Sequence, residues 1–127
     1  MTEQAKQLLI KDLCARLPYN VKINIKDEYS QKMVNDILCA YHIGGISYNL
    51  ESRNLRPYLR PMSSMTEEEK KYYNTVVQLV QDSEVYEYEV VDWLNAHQFD
   101  YRIDPSTGKT MIESGIALEA PEGMYEI

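Results

Sequence analysis

Cysteine, histidine and glycine are scarce in this chain of 127 residues, which holds two, two and five of them. The two cysteines, Cys14 and Cys39, cannot build a disulfide framework. Each sits among apolar neighbours, where a buried free thiol is expected. Two histidines fall short of the nitrogen and sulfur ligands that a zinc site demands. No apolar run approaches the roughly 20 residues that cross a bilayer as a helix. The opening MTEQAKQLLIKDL has only three consecutive apolar residues, unlike a secretory signal. The cytoplasm is therefore the default location, and no membrane role is expected. Cations are also outnumbered, 13 Lys and Arg against 20 Asp and Glu, for a net charge of -7. Nucleic-acid binding relies on cations that displace counterions from phosphate, so no nucleic-acid partner is expected. The same charge favours solubility and a cationic protein surface.

What is present reads as one domain over 1–127, since 44% hydrophobic and 26% charged residues are ordinary for a folded chain. A strand-rich half is expected at about 19–56 and a helix-rich half at about 64–127. Gln4 to Leu17 carries Leu9, Ile10, Leu13, Cys14 and Leu17 at helical spacing, with Lys6, Lys11 and Arg16 as polar interruptions. Thr2 suits the cap and Pro18 the stop. VKINIKD alternates, with Val21, Ile23 and Ile25 on one face of a half-buried strand. EYSQKMVN reads as a loop leading into a strand. DILCAYHIGGISYNL reads as two strands around a Gly44-Gly45 hairpin turn. Strand character then fades at Asn54, while the residues before Pro57 and Pro61 stay extended. TEEE from Thr66 to Glu69 is a capping box, followed by Tyr73, Val76, Val77 and Val80 at helical spacing. A second helix is expected from Glu84 to His97, striped by Tyr86, Val90, Trp93, Leu94 and His97, although VYEYEV also alternates. DPSTGK and APEG are turns, and Met111 to Ser114 suits a helical turn ended by Gly115.

The segments LLIKDLCARLPY, PYLRPMSSMTEEE, DWLNAHQFDYR and GIALEAPEGMY resemble a family of short uncharacterised proteins from gut Bacteroides-type bacteria and their prophages. The resemblance covers the first helix, the junction at Leu55 to Lys71 and much of the last third. The family pattern has a glycine after the tyrosine of LPY, where this chain has Asn20. It also runs more directly from FDYR to its ending, so the loop around Pro105 is particular to this chain. The resemblance implies an accessory role in bacterial or phage biology. It implies no activity, catalytic residue or cofactor.

The chemical motifs are sparse. PSTGKT would need a glycine at position 103 to be a phosphate loop, and that residue is Ile103. His97, Asp100 and Asp104 offer one nitrogen and two loop carboxylates, so His97 reads as a helix-end residue instead. Cys39 and His42, three apart on an expected strand, would face opposite ways. Glu87 and Asp92 read as solvated surface rather than an acid/base pair. No catalytic residue, metal ligand or cofactor follows.

Eleven tyrosines against one phenylalanine are the compositional signal. A tyrosine joins a rigid apolar body to a hydrogen-bonding tip, which suits either an interface or the rim of a small core. Arg53, Arg56 and Arg60 around Tyr58 form the most cationic stretch, suited to carboxylates or phosphates or to the chain's own acids. With Tyr48 and Tyr72 they make the candidate interaction surface.

The expected fold is α+β: an amino-terminal helix, a small antiparallel sheet from Val21 to Leu55 with an SH3-like partial barrel as one form, two helices and a loop-rich tail. One shared interior should close between the halves. The expected function is a non-enzymatic interaction module whose partner is another protein or a second copy. The alternative is a prophage-encoded antagonist of a host defence protein, acting through its acidic surface. A small enzyme is the least motivated reading.

Overall fold

A computed structural model describes residues 1–125. The first helix, α1 (Glu3–Arg16), starts where Thr2 accepts the Ala5 amide at 3.0 Å. Ala5, Leu9 and Leu13 form its buried face. Cys14 lies one residue beyond Leu13, about 100° further round the helix, and is exposed rather than buried. Arg16 reverses expectation in the other direction: it is fully buried. Leu17–Tyr19 add a 3-10 turn that ends at Asn20 with φ 55°. That left-handed position favours glycine and tolerates asparagine, which gives a physical reason for the residue seen there.

Strand β1 (Lys22–Lys26) buries Ile23 and Ile25 as its alternation demands, and pairs antiparallel with β2 (Met33–Ile37) over five residues. The expected Gly-Gly hairpin is absent. Two short helices, α2 (Ala40–Gly44) and α3 (Ile46–Glu51), occupy that stretch instead. Gly45 has φ -115°, not the positive φ of a primed hairpin turn. Ile43, Ile46 and Leu50 recur at helical spacing and pack on the sheet's core. The Asn49 side chain donates to His42 O at 2.9 Å and ties the two helices together.

The junction is itself a strand. β3 (Arg56–Pro61) pairs antiparallel with β1, so strand character begins where it was expected to fade. Two prolines inside a central strand need an account, because each withholds a ladder donor. Pro57 and Pro61 are four apart, so by strand alternation they withhold amides from the same edge. On that edge Leu59 O accepts from Ala120 N, and the neighbouring strand pairs over only two residues. The other parity keeps its donors, as Arg60 N to Gln98 O at 2.7 Å shows.

Helix α4 (Glu67–Gln81) opens with the expected capping box, Glu69 N to Thr66 Oγ1 at 3.2 Å and Thr66 N to Glu69 Oε1 at 2.9 Å. Ser83, at φ 59°, breaks the helix. α5 (Glu87–Ala96) therefore starts three residues later than expected, and Tyr86 falls off the buried stripe. The tail then contributes β4 (Phe99–Asp100), β5 (Ile103–Asp104), β6 (Lys109–Thr110) and β7 (Leu118–Glu119). Within PSTGKT, Pro105 to Gly108 form the turn of the β5–β6 hairpin, with Gly108 at φ +72°, and Lys109-Thr110 are β6 itself. β4 and β7 both pair parallel with β3. The fold is α+β as expected, but its sheet is mixed, open at β2 and completed by the tail.

The interior differs from the expected single one. A sheet-side cluster joins Leu9, Leu13, Val21, Ile23, Ile25, Leu55 and Leu59 to tail residues Met111, Ile116 and Ala117. A helical cluster joins Met65, Val76, Val90, Leu94 and Phe99, rimmed by Tyr73, Trp93 and Tyr101. Charged side chains lie near their boundary. Arg16 Nε meets both Asp12 carboxylate oxygens at 3.0 Å, and Arg102 reaches Asp12 Oδ1 at 2.7 Å. Arg16 also donates to Phe99 O. Arg60 forks onto Glu69 at 2.7 and 2.9 Å, with its guanidinium 4.2 Å from the Phe99 ring centroid. No helix among the described residues is long and apolar enough to cross a membrane.

Candidate interaction surfaces

Strand β2 is one edge of the sheet, and all five of its residues are exposed. The register settles which backbone groups face outward. Lys22 and Lys26 turn their amides away from β2, to Tyr125 Oη and Arg53 O. Their partners Ile37 and Met33, and Asn35 between them, therefore aim their own backbone groups away from β1. The Ile37 amide is internally satisfied, donating to Asp36 Oδ1 at 2.8 Å. Met33 and Asn35 keep outward N–H and C=O groups with no strand beside them among the described residues. Met33, Val34 and Ile37 add exposed apolar surface, and the neighbouring Tyr29 is 96% exposed.

On the outer face, Asn35 Oδ1 accepts from Tyr58 Oη at 2.8 Å and from Asn24 at 3.1 Å, which ties β2 to β1 and β3 through side chains. Tyr125 works beside it. Its hydroxyl accepts the Lys22 amide and donates to Tyr58 O, each at 2.8 Å, so a phenol stands between β1 and β3 where a ladder bond would run. Burial pushes its pKa up to about 12, against the opposing pull of the Lys22 amide. Lys22 Nζ also holds Met124 O at 2.7 Å. The tail is thereby fastened to the sheet.

The expected surface residues spread over several elements. Arg53 donates to Lys26 O at 2.9 Å and to Asn49 Oδ1 at 3.3 Å, and Arg56 donates to Leu55 O and Leu50 O. Arg60 is buried on Glu69. These arginines thus bind the chain's own carbonyls and acids. Tyr58 is half-buried on β3. Tyr48 is exposed on α3, lining with Tyr41 and Glu28 a shallow depression of about 360 Å³. Tyr72 is exposed on α4, its ring 5.2 Å from Trp93. In all, Tyr29, Tyr41, Tyr48, Tyr72, Tyr86 and Tyr88 are exposed.

Cys39 and His42 are corrected by the helical assignment. At the start of α2 they are neighbours rather than on opposite faces, with Sγ and Nδ1 3.5 Å apart. His42 Nε2 lies 3.5 Å from Asp36 Oδ2. The Nδ1 lone pair already accepts the Cys39 amide at 3.0 Å. Taking a thiol proton would break that cap, so the imidazole serves the helix start. Cys39 itself is exposed, not buried. His97 ends α5, donating Nδ1–H to Trp93 O at 2.9 Å. Asp100 accepts the Met111 and Ile112 amides, and Asp104 accepts the Ser106 amide. Burial raises the Asp100 pKa, and the Ile112 amide is the chief group pulling it back.

The β2 edge was not singled out by sequence reasoning. The sequence offers no clean signal for it: Met33, Val34 and Ile37 fall on both parities beside Asn35 and Asp36, so alternation marks neither face for burial. Set against models of protein families, curated proteins and solved structures, the chain matches none, so the geometry alone carries the functional reading.

Proposed function

We propose that the protein is a non-enzymatic interaction module that binds another polypeptide by strand addition at β2. One observation carries the reading: a strand exposed at all five positions also presents unpaired outward backbone groups at Met33 and Asn35. Natural sheets normally cover or charge such an edge, because it templates pairing. Strand addition supplies affinity through main-chain hydrogen bonds and specificity through alternate side chains. Exposed tyrosines nearby, Tyr29 and Tyr41, suit a rim contact. The family resemblance fits an accessory role in a bacterial or prophage system, in the cytoplasm.

The test is quantitative capture on immobilised protein, wild type against Val34→Lys, which places a charge on the edge. Partners held by the wild type should be lost from the variant. Equal recovery on both would remove the edge as the binding surface.

A second reading has its own observation. Glu84, Glu87 and Glu89 surround the exposed pair Tyr86 and Tyr88, whose rings stack at 5.5 Å at the start of α5. An acidic, aromatic corner suits a basic protein surface, as an antagonist of a host defence protein would require. Such binding weakens steeply with added salt, and a salt-insensitive complex would reject it.

A further inference from the structure

The β2 edge fits one occupant better than others on the residues present. We propose that a second copy of this chain docks there, β2 against β2, antiparallel about a twofold axis at Val34. The inference rests on reading this edge as an interaction surface.

Backbone and side chains select the same register independently. Only outward-facing residues can exchange hydrogen bonds across the new seam, and these are Met33, Asn35 and Ile37. The Ile37 amide is already taken by Asp36. A register centred on Asn35 would oppose Met33 to Ile37 of the second copy and would need that amide. A register centred on Val34 opposes Met33 to Asn35, twice by symmetry, and uses only groups left unpaired.

Side chains of the other parity then meet across the seam. Lys32, Val34 and Asp36 lie on one face by alternation. Centring on Val34 sets Val34 against Val34 and Lys32 against Asp36, at both ends. Centring on Asp36 itself would oppose two carboxylates, and centring on Met33 would leave Lys32 opposite Val34. Among these registers, only the Val34-centred one gives opposite charges directly facing, which stabilises a cross-strand pair. Lys32 makes no ion pair within the described chain. The interface is isologous, as a closed dimer requires. Five-residue strands bury less than the roughly 1,200 Å² of a standard stable interface, so the dimer should be a weak, concentration-dependent one.

Sedimentation velocity across a concentration series tests the proposal, with thermal melting of every variant to confirm folding. Wild type should sediment as a concentration-dependent dimer. Lys32→Glu and Asp36→Lys should each weaken association about tenfold, because each turns two attractions into repulsions, and Asp36→Lys also removes the acceptor of the Ile37 amide. The double variant Lys32→Glu/Asp36→Lys should recover it. Val34→Lys should abolish it. A wild type still monomeric at about 100 micromolar, a dimer indifferent to Val34→Lys, or a double variant no better than the single ones would overturn the proposal. If the monomeric wild type nonetheless held a different protein through Val34, the second-copy inference would fall and the interaction reading would stand. Loss of both would sink both.

Discussion

The two apolar clusters are closed differently. The sheet-side cluster is aliphatic and sealed: α1 covers one side, and tail residues Met111, Ile116 and Ala117 are buried with β1 and β3. The helical cluster is aromatic at its rim and leakier at its centre, since Met65, Val76 and Val90 keep 8–9% exposure where no core residue of the sheet side exceeds 4%. Phe99, the chain's single phenylalanine, packs in the second while Arg16 holds its carbonyl and Arg60 lies over its ring. The contrast teaches that α4 and α5 depend on charged anchors where the sheet depends on burial. Regions with fewer sealed apolar contacts open more readily, so the helical layer should be the softer part.

The largest break in that comparison should come at Asp12, which answers both Arg16 and Arg102. Asp12→Ala leaves a buried guanidinium without its counter-charge, and should cost about 3–5 kcal/mol in chemical denaturation. Arg16 Nη1 and Gln98 Oε1 already make no hydrogen bond among the described residues, so there is little slack to absorb the loss. A cost below about 1 kcal/mol would show the pair to be ornamental rather than an anchor.

Truncations separate the clusters next. Leu9→Ala, at a fully buried site, should cost about 2–5 kcal/mol. Val80→Ala, at a half-buried site, should cost about 1 kcal/mol or less. Equal losses in urea melts would erase the distinction.

Tyr125→Phe should cost about 1–3 kcal/mol, because the Lys22 amide and Tyr58 carbonyl would lose their bridge. It also carries a pH signature. The folded phenol, pushed up to about 12, keeps its proton where the unfolded one near 10 has lost it. Between those values the unfolded state binds fewer protons, so stability is full below about pH 10 and falls as pH rises towards 12. Melts from pH 9 to 11 should show this decline in wild type, and a smaller one in the variant.

The Arg60 anchor should fail at the opposite end. Its hydrogen bonds to Glu69 hold that carboxyl below the usual carboxylate range. The stabilisation is present above the unfolded pKa, about 4.3, and is lost as pH falls through the lower folded value. Amide protection in α4, measured against the intrinsic exchange rate at each pH, should therefore fall in acid before that in β1, and Glu69→Gln should flatten the difference. The smallest effect belongs to Val34→Lys, which should alter monomer stability by no more than about 0.5 kcal/mol, because β2 is exposed on both faces. A larger loss would mean that the edge is part of the core.

Local chemistry was the legible part of this chain. α1, β1 and the capping box at Thr66 follow from spacing and side-chain donors within a few residues. Their interactions are short-range, so periodicity records them directly. The stretch from Cys39 to Glu51 misled because Gly44-Gly45 suits a hairpin only with positive φ, and here the pair separates two helical turns packed by Ile43, Ile46 and Leu50. The junction misled in reverse. Prolines argue against a central strand unless the edge they starve is barely used, and only the partner β7, about 60 residues later in the sequence, makes that so.

Residue order and spacing alone dictate the α+β class, the first helix, the alternating strand and the paired carboxylate and hydroxyl that start α4. Long-range packing is what turns Arg16 and Arg60 inward, completes the sheet through a phenol of the tail, and leaves β2 uncovered. The reason is range: a residue's own neighbours dictate its backbone, but whether a charge or an edge is buried depends on what arrives from far along the chain.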